Sequence, residues 1–178
     1  LTRLLQVRIP EAGADAGRLH DHLIIAGYGL AGQELAQALN NCDKPFVTVD
    51  LNPGNVRLAA RQGLRSYFGD ITSPEVLHRL SAENARGLVL TVNDPDATAR
   101  ATRAARRLAP SLTVIVRSQY VADIAGLVDA GASKVIVAET AAAAEVTACV
   151  LKEQGVSQQS IDMQLARIRT RRAEQAAE

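Results

Sequence analysis

Six short β-branched runs separated by helical segments predict an α/β fold: a doubly wound, six-stranded parallel sheet with a C-terminal helical extension. Two observations carry that expectation. The runs are nearly continuous in apolar character, as strands buried on both faces must be, rather than alternating. Segments of helical periodicity with start signals lie between them, as right-handed crossovers require.

The elements follow in order. Leu1 to Pro10 is a short amphipathic piece, and EAGADAGR at 11–18 is small, polar and glycine-containing, so residues 1–20 read as a linker. The strands are expected at HLIIAG (22–27), PFVTVD (45–50), a weak SYF (66–68), GLVLTV (87–92), LTVIVR (112–117) and KVIVAE (134–139). A helix over residues 31–40 places Ala31, Leu35, Ala38 and Leu39 on one face. Ser73-Pro74-Glu75 reads as an N-cap, a first-turn proline and an acid near a helix start. Asp94-Pro95-Asp96 repeats that grammar. Its helix turns Ala97, Ala101, Ala104, Ala105 and Leu108 inward and Arg100, Arg103 and Arg107 outward. The sheet domain is thus expected over residues 21–139. A helical tail follows over 140–178, with helices at 140–154 and 157–173 around a break at Gly155.

Composition narrows the function. A chain of 178 residues suits one domain with a little left over. An apolar fraction of 47% and a charged fraction of 22% are ordinary globular values, which argues against disorder except at the termini. A net charge of +1 gives no general attraction to nucleic acid or membrane, and 3% aromatic content offers few stacking platforms for bases; no nucleic-acid partner is expected. Cys42 and Cys149 stand far apart without CxxC spacing, as buried or idle thiols of a reduced compartment. His20, His22 and His78 lack metal-ligand spacing and read as structural or linker residues. The arginines at 167, 169, 171 and 172 read as a solvated helix face. No apolar run nears the roughly 18 residues needed to cross a bilayer, so the chain is expected to be soluble. Because it begins with leucine, it is expected to be a piece of something longer.

The most informative motif is Gly27-Tyr28-Gly29-Leu30-Ala31-Gly32, a GxGxxG between a β-branched strand and a helix, with Asp50 at the end of the next strand. Together these make a Rossmann-like dinucleotide fingerprint. Gly27 permits the tight turn, Gly29 lets backbone N–H groups approach a pyrophosphate, and Gly32 allows close helix packing. The helix start supplies partial positive charge and free N–H donors. Asp50 can accept from both ribose hydroxyls and repels a 2′-phosphate, so NAD(H) or an adenosine nucleotide such as AMP or ATP is favoured over NADP. The other reading of these glycines is a tight turn that binds nothing.

The remaining candidates lie at strand ends, where ligands of open α/β sheets gather. Asp70 follows the third strand and could face the adenine edge or simply make a turn. Asn93 and Asp94 end the fourth strand, with Asp94 reading first as a helix cap. Arg117 ends the fifth strand, where a guanidinium neutralises phosphate or a second anion, or lies idle on the surface. Leu51 and Ile71, beside Asp50 and Asp70, complete the candidate cofactor-binding set.

No acid–base chemistry accompanies this site in the sequence. Tyr28, Tyr67 and Tyr120 are followed four residues on by Gly32, Ile71 and Ile124, not by the lysine of a short-chain dehydrogenase. The tail after the sheet is too short and too regular for a second domain, so none is expected there. Sensing is therefore expected rather than catalysis; the alternative is the NAD-binding domain of an oxidoreductase separated from its catalytic half.

The ordered motifs IIAGYGLAGQELAQAL, VTVDLNP, SYFGDIT, LVLTVNDPDAT, VIVRSQY and VIVAET resemble the RCK domain, also called KTN or TrkA-N. The resemblance covers about residues 21–155, and the tail EQGVSQQSIDMQLARIRTRR looks like the segment that follows this domain in Kef-like antiporters. It implies a regulatory domain of potassium or cation/proton transport at the cytoplasmic face of a membrane, with residues 1–18 as the linker from a membrane domain. It further implies a homodimer through the helix after the sixth strand, and NAD(H) or AMP/ATP biasing open and closed transport states. By the same resemblance, Gly27, Gly29 and Gly32 hold phosphates, Asp50 the ribose and Asp70 the adenine. Asn93, Asp94 and Arg117 line the cleft, and Glu139 lies near the dimer junction. One departure stands out. Glutathione-gated members typically carry arginine after the second loop glycine, where this chain has Leu30.

Overall fold

The computed structural model describes residues 19–175, with side chains through Ile168; the expected linker, apart from Leu19 and His20, lies outside the described residues. Six parallel strands form one sheet: β1 (Leu23–Ala26), β2 (Phe46–Asp50), β3 (Ser66–Phe68), β4 (Gly87–Leu90), β5 (Thr113–Ser118) and β6 (Lys134–Val137). Their order is β3-β2-β1-β4-β5-β6. The chain therefore winds outward from β1 in one direction and then, from β4, in the other. That reversal opens a crevice at the carboxyl ends of β1 and β4.

Among the described residues seven α-helices connect and extend the sheet: α1 (Leu30–Asn41), α2 (Pro53–Arg61), α3 (Pro74–Arg79), α4 (Pro95–Leu108), α5 (Ile124–Asp129), α6 (Ala138–Glu153) and α7 (Gln158–Gln175). One face of the sheet packs Ile24, Ala26, Val49, Leu88 and Val116 under α3 and α4, with Leu77, Ala101 and Ala105 pointing in. The opposite face packs Ile25 and Tyr28 against Ala36 of α1 and Ala59 of α2. Both faces are covered, which is why the strands read as apolar runs.

Several local expectations shift. The sixth strand ends at Val137, and helix begins at Ala138, so Glu139 lies in the first turn of α6 rather than in the strand. Alanine after Val137 favours helix once the β-branched run stops. In α1 the inward residues are Gly32, Leu35, Ala36 and Leu39, while Ala38 is exposed. The helix is rotated because Gly32 must abut the glycine loop. In α4 the three arginines face out as expected, but Thr98 and Thr102 join the alanines inside. Their hydroxyls donate to the carbonyls of Asp94 and Thr98, which removes the cost of burying them.

Ser73 occupies the N-cap of α3 without a side-chain capping bond; the turn is held by Asp70, whose carboxylate accepts from the Thr72 N–H at 2.9 Å. Helices α2 and α5 carried no expectation of their own. Both cysteines are exposed rather than buried. His22 is structural: 1% exposed, it donates from Nε2 to the Leu80 carbonyl at 3.0 Å, and its Nδ1 has no partner among the described residues. Burial pushes its imidazole below the ordinary value, against the hydrogen bond to Leu80 and aided by His20.

Candidate functional site

The glycine loop turns at the end of β1. Gly27 sits at φ +96°, in the left-handed region that favours glycine, and a Cβ there would come within 2.8 Å of Thr91 Oγ1. Gly32 is equally constrained: a Cβ would stand 2.0 Å from the Gly27 carbonyl oxygen. Gly29 differs, since a Cβ there meets nothing within 4 Å. Two glycines are thus needed by packing, while the middle one borders open space at the crevice.

That open space faces the start of α1. The helix has Gly29 as its N-cap, with no side-chain cap and no acid in its first turn. Helices α2 and α4, by contrast, are capped by Asn52 and Asp94, which accept from the Gly54 and Ala97 N–H groups at 2.8 and 3.0 Å. An uncapped helix start beside a glycine loop leaves N–H donors and partial positive charge for an anion.

Asp50 closes the other side. Its Oδ2 accepts from the Tyr28 backbone N–H at 2.6 Å and from Asn55 Nδ2 at 2.9 Å, and Oδ1 from the Asn52 N–H at 2.7 Å. The carboxylate is therefore held against the glycine loop. The Gly69 N–H donates to the Asp50 carbonyl at 3.2 Å, which brings the Asp70 loop to the same edge. Arg117 and Asn93 meet directly: Nη1 donates to the Asn93 side-chain oxygen at 2.7 Å, and Nη2 to Gln119 at 3.3 Å. No acidic side chain pairs with Arg117 among the described residues, so its charge is available at the crevice mouth.

Other expected site residues have different roles. The Tyr28 side chain is 1% exposed in the core, donating its hydroxyl to Gln62 Oε1, and burial raises its pKa; only its backbone belongs to the loop. Ile71 is likewise a core residue. Leu30 and Leu51 are exposed, Ala31 is half-buried, and the Asp94 carboxylate serves as the cap of α4. Thr91 and Gln33 were missed. Thr91 donates to the carbonyls of Ala26 and Gly27, and Gln33 to that of Tyr28, so both pin the loop from outside the motif. A polar residue directly after the apolar GLVL run was the one available signal for Thr91.

The TrkA-N domain family matches residues 23–138, well over half of the chain, and its span begins with β1 and ends where α6 begins. The chain belongs to that family. Among curated relatives, the chloroplastic K(+) efflux antiporter 1 of Arabidopsis thaliana is 31% identical over 160 residues, 90% of this chain and 13% of that protein. This TrkA-N chain thus spans only a small part of that relative's length. Among solved structures, the TrkA-N domain of the inner membrane protein ybaL of Escherichia coli is 25% identical, with a TM-score of 0.69 over 72% of this chain and 96% of that one. A Kef C-terminal domain of Shewanella denitrificans, solved in AMP-bound form, shares the fold. Its TM-score is 0.76 at 21% identity, covering 88% of this chain and 98% of that one. No helix among the described residues is long and apolar enough to cross a membrane.

Proposed function

We propose that this domain is the nucleotide-responsive regulatory module of a potassium or cation/proton antiporter of the Kef-like kind, placed at the cytoplasmic face of the membrane and without an enzymatic activity of its own. One observation carries the ligand. The uncapped start of α1 opens onto free space at Gly29, within a loop that donates its Tyr28 N–H to Asp50. Phosphates fit the helix start, the ribose fits Asp50, and the adenine fits the edge formed by Leu51 and the Asp70 loop. Arg117 supplies positive charge at the mouth. An adenine nucleotide, NAD(H) or AMP/ATP, is the ligand that uses all four. Family membership and the AMP-bound fold neighbour support the same reading.

Gating requires a second state. We assign it to a homodimer through α6, of which no residue is buried: Val146 is 63% and Val150 54% exposed. A groove of about 800 Å³ runs beside it, lined by Ile124, Val128, Ile136, Ala141, Ala144 and Leu165. A ligand that binds one dimer arrangement better than another shifts the balance between them, and a covalently linked transport domain would follow.

Calorimetric titration with AMP, ATP, NAD and NADH tests the ligand, and ion flux of the full-length protein with and without nucleotide tests the gate. Binding accompanied by a change in flux is expected. Absence of binding by all four would sink the ligand, and binding without any change in flux would sink the gate.

A further inference from the structure

A carboxylate offers about four acceptor positions, two on each oxygen. At Asp50 three are filled: Oδ2 by the Tyr28 N–H and the Asn55 amide, and Oδ1 by the Asn52 N–H. Because an ionised carboxylate only accepts, the nitrogen of the Asn55 amide must be the atom that faces it. These three donors differ in freedom. Tyr28 and Asn52 contribute backbone N–H groups, one from the glycine loop and one from the residue that caps α2. Neither can leave without dismantling its turn. Asn55 contributes a half-buried side chain on the first turn of α2, which can change rotamer.

The cis-diol of a ribose presents two hydroxyl donors. One can take the open position on Oδ1. The second needs a position on Oδ2, where the only occupant able to yield is Asn55. We infer that Asn55 is a built-in competitor for the ribose: its amide stands where the second hydroxyl must donate, and a bound nucleotide displaces it. The inference rests on the nucleotide reading above and adds the residue that sets how strongly the site distinguishes ribose from deoxyribose. With Asn55 present, the second hydroxyl exchanges one hydrogen bond to a charged acceptor for another, so removing that hydroxyl changes affinity little. Without Asn55 the position is vacant, and the hydroxyl contributes in full.

Calorimetry on the whole chain with AMP, 2′-deoxy-AMP and 3′-deoxy-AMP tests this, comparing wild type with Asn55→Ala and Asn55→Ser. Thermal melts without nucleotide check that each variant is folded. The serine variant, too short to reach Oδ2, separates the lost amide from any effect of alanine on the helix. In wild type the better-binding deoxy analogue, the one that lacks the hydroxyl facing Oδ2, should bind within about threefold of AMP, while the one that lacks the hydroxyl on Oδ1 should bind more weakly. In both variants AMP should tighten, and that ratio should widen to about tenfold or more, the range of a hydrogen bond to a charged group. Variants that bind AMP more weakly at an unchanged ratio would show that Asn55 merely holds Asp50 in place, which overturns the inference alone. Unchanged affinities and ratios overturn it as well. Wild type that binds AMP but no variant that widens the ratio leaves the nucleotide reading standing, whereas wild type that binds no adenine nucleotide overturns both.

Discussion

The backbone N–H of Tyr28 donates to Asp50 Oδ2 across 2.6 Å, joining the glycine loop after β1 to the end of β2, 22 residues further along the chain. One carboxylate thereby shapes the glycine loop and, on the proposed reading, would also hold the ribose. Loop geometry and the proposed sugar recognition then rest on the same group.

Replacing Asp50 should therefore act twice. Asp50→Ala removes the acceptor of three hydrogen bonds, and nucleotide affinity should fall by at least tenfold, about 1.4 kcal/mol, in calorimetric titration. The protein should also lose about 1–2 kcal/mol of stability in urea, because the Tyr28 and Asn52 N–H groups lose their partner. Wild-type affinity in this variant would remove Asp50 from the site.

The two later glycines of the loop should respond oppositely to the same change. In Gly32→Ala the new methyl meets the Gly27 carbonyl oxygen at 2.0 Å, so α1 must shift and about 1–3 kcal/mol of stability should be lost. In Gly29→Ala the methyl enters open space at an unstrained φ of −75°, and stability should change by less than about 0.5 kcal/mol. Its nucleotide affinity should nevertheless fall, because the proposed phosphate position lies in that space. Denaturation and titration of both variants check the pair, and a Gly29→Ala protein with undiminished binding would relocate the ligand.

Acid should weaken the fold through His22. Burial lowers the folded-state pKa of this histidine below 6.5, so as pH falls the unfolded chain takes up the proton first. The full contribution is present above about pH 6.5 and is lost as pH drops from there toward the folded value. Between pH 7.5 and 5.5 the wild-type urea midpoint should fall more than that of His22→Asn. Equal pH slopes for the two proteins would exclude His22 as the sensitive group.

Arg106 should matter to the fold and not to the ligand. Its guanidinium donates to the carbonyls of Gly131, Pro110 and Leu112 and to the Ser133 hydroxyl, tying α4 to the chain on either side of β5. Arg106→Ala should cost about 2–4 kcal/mol in denaturant unfolding, with Arg106→Lys recovering only part, since an ammonium cannot reproduce the fork. Nucleotide affinity should stay within about twofold, because these contacts lie at the opposite edge of the sheet from the glycine loop.

Much of this architecture was legible in the chain because its signals are local. A β-branched run bounded by turns declares a strand, a proline after an acid declares a helix start, and GxGxxG declares a turn that only glycine can make. The six strands, the α4 cap at Asp94 and the glycine loop with Asp50 were readable on those grounds. The rotation of α1 was not. Leu35 and Leu39 fit either face, and the choice is made by contact between Gly32 and the Gly27 carbonyl. Tyr28 and Ile71 were placed in the site by adjacency to its motifs, yet their side chains complete the two sides of the core.

The sequence by itself determined the parts from which the proposed site is built, since a tight turn, a helix start and a nearby acid are demands on neighbouring residues. Tertiary structure alone decided how that site is held. The bonds of Thr91 to Gly27, of Asn55 to Asp50 and of Arg117 to Asn93 join groups whose pairing depends on the paths of the strands and turns that carry them. Such pairings leave no periodicity in the chain, because they arise only when the sheet sets those backbones side by side.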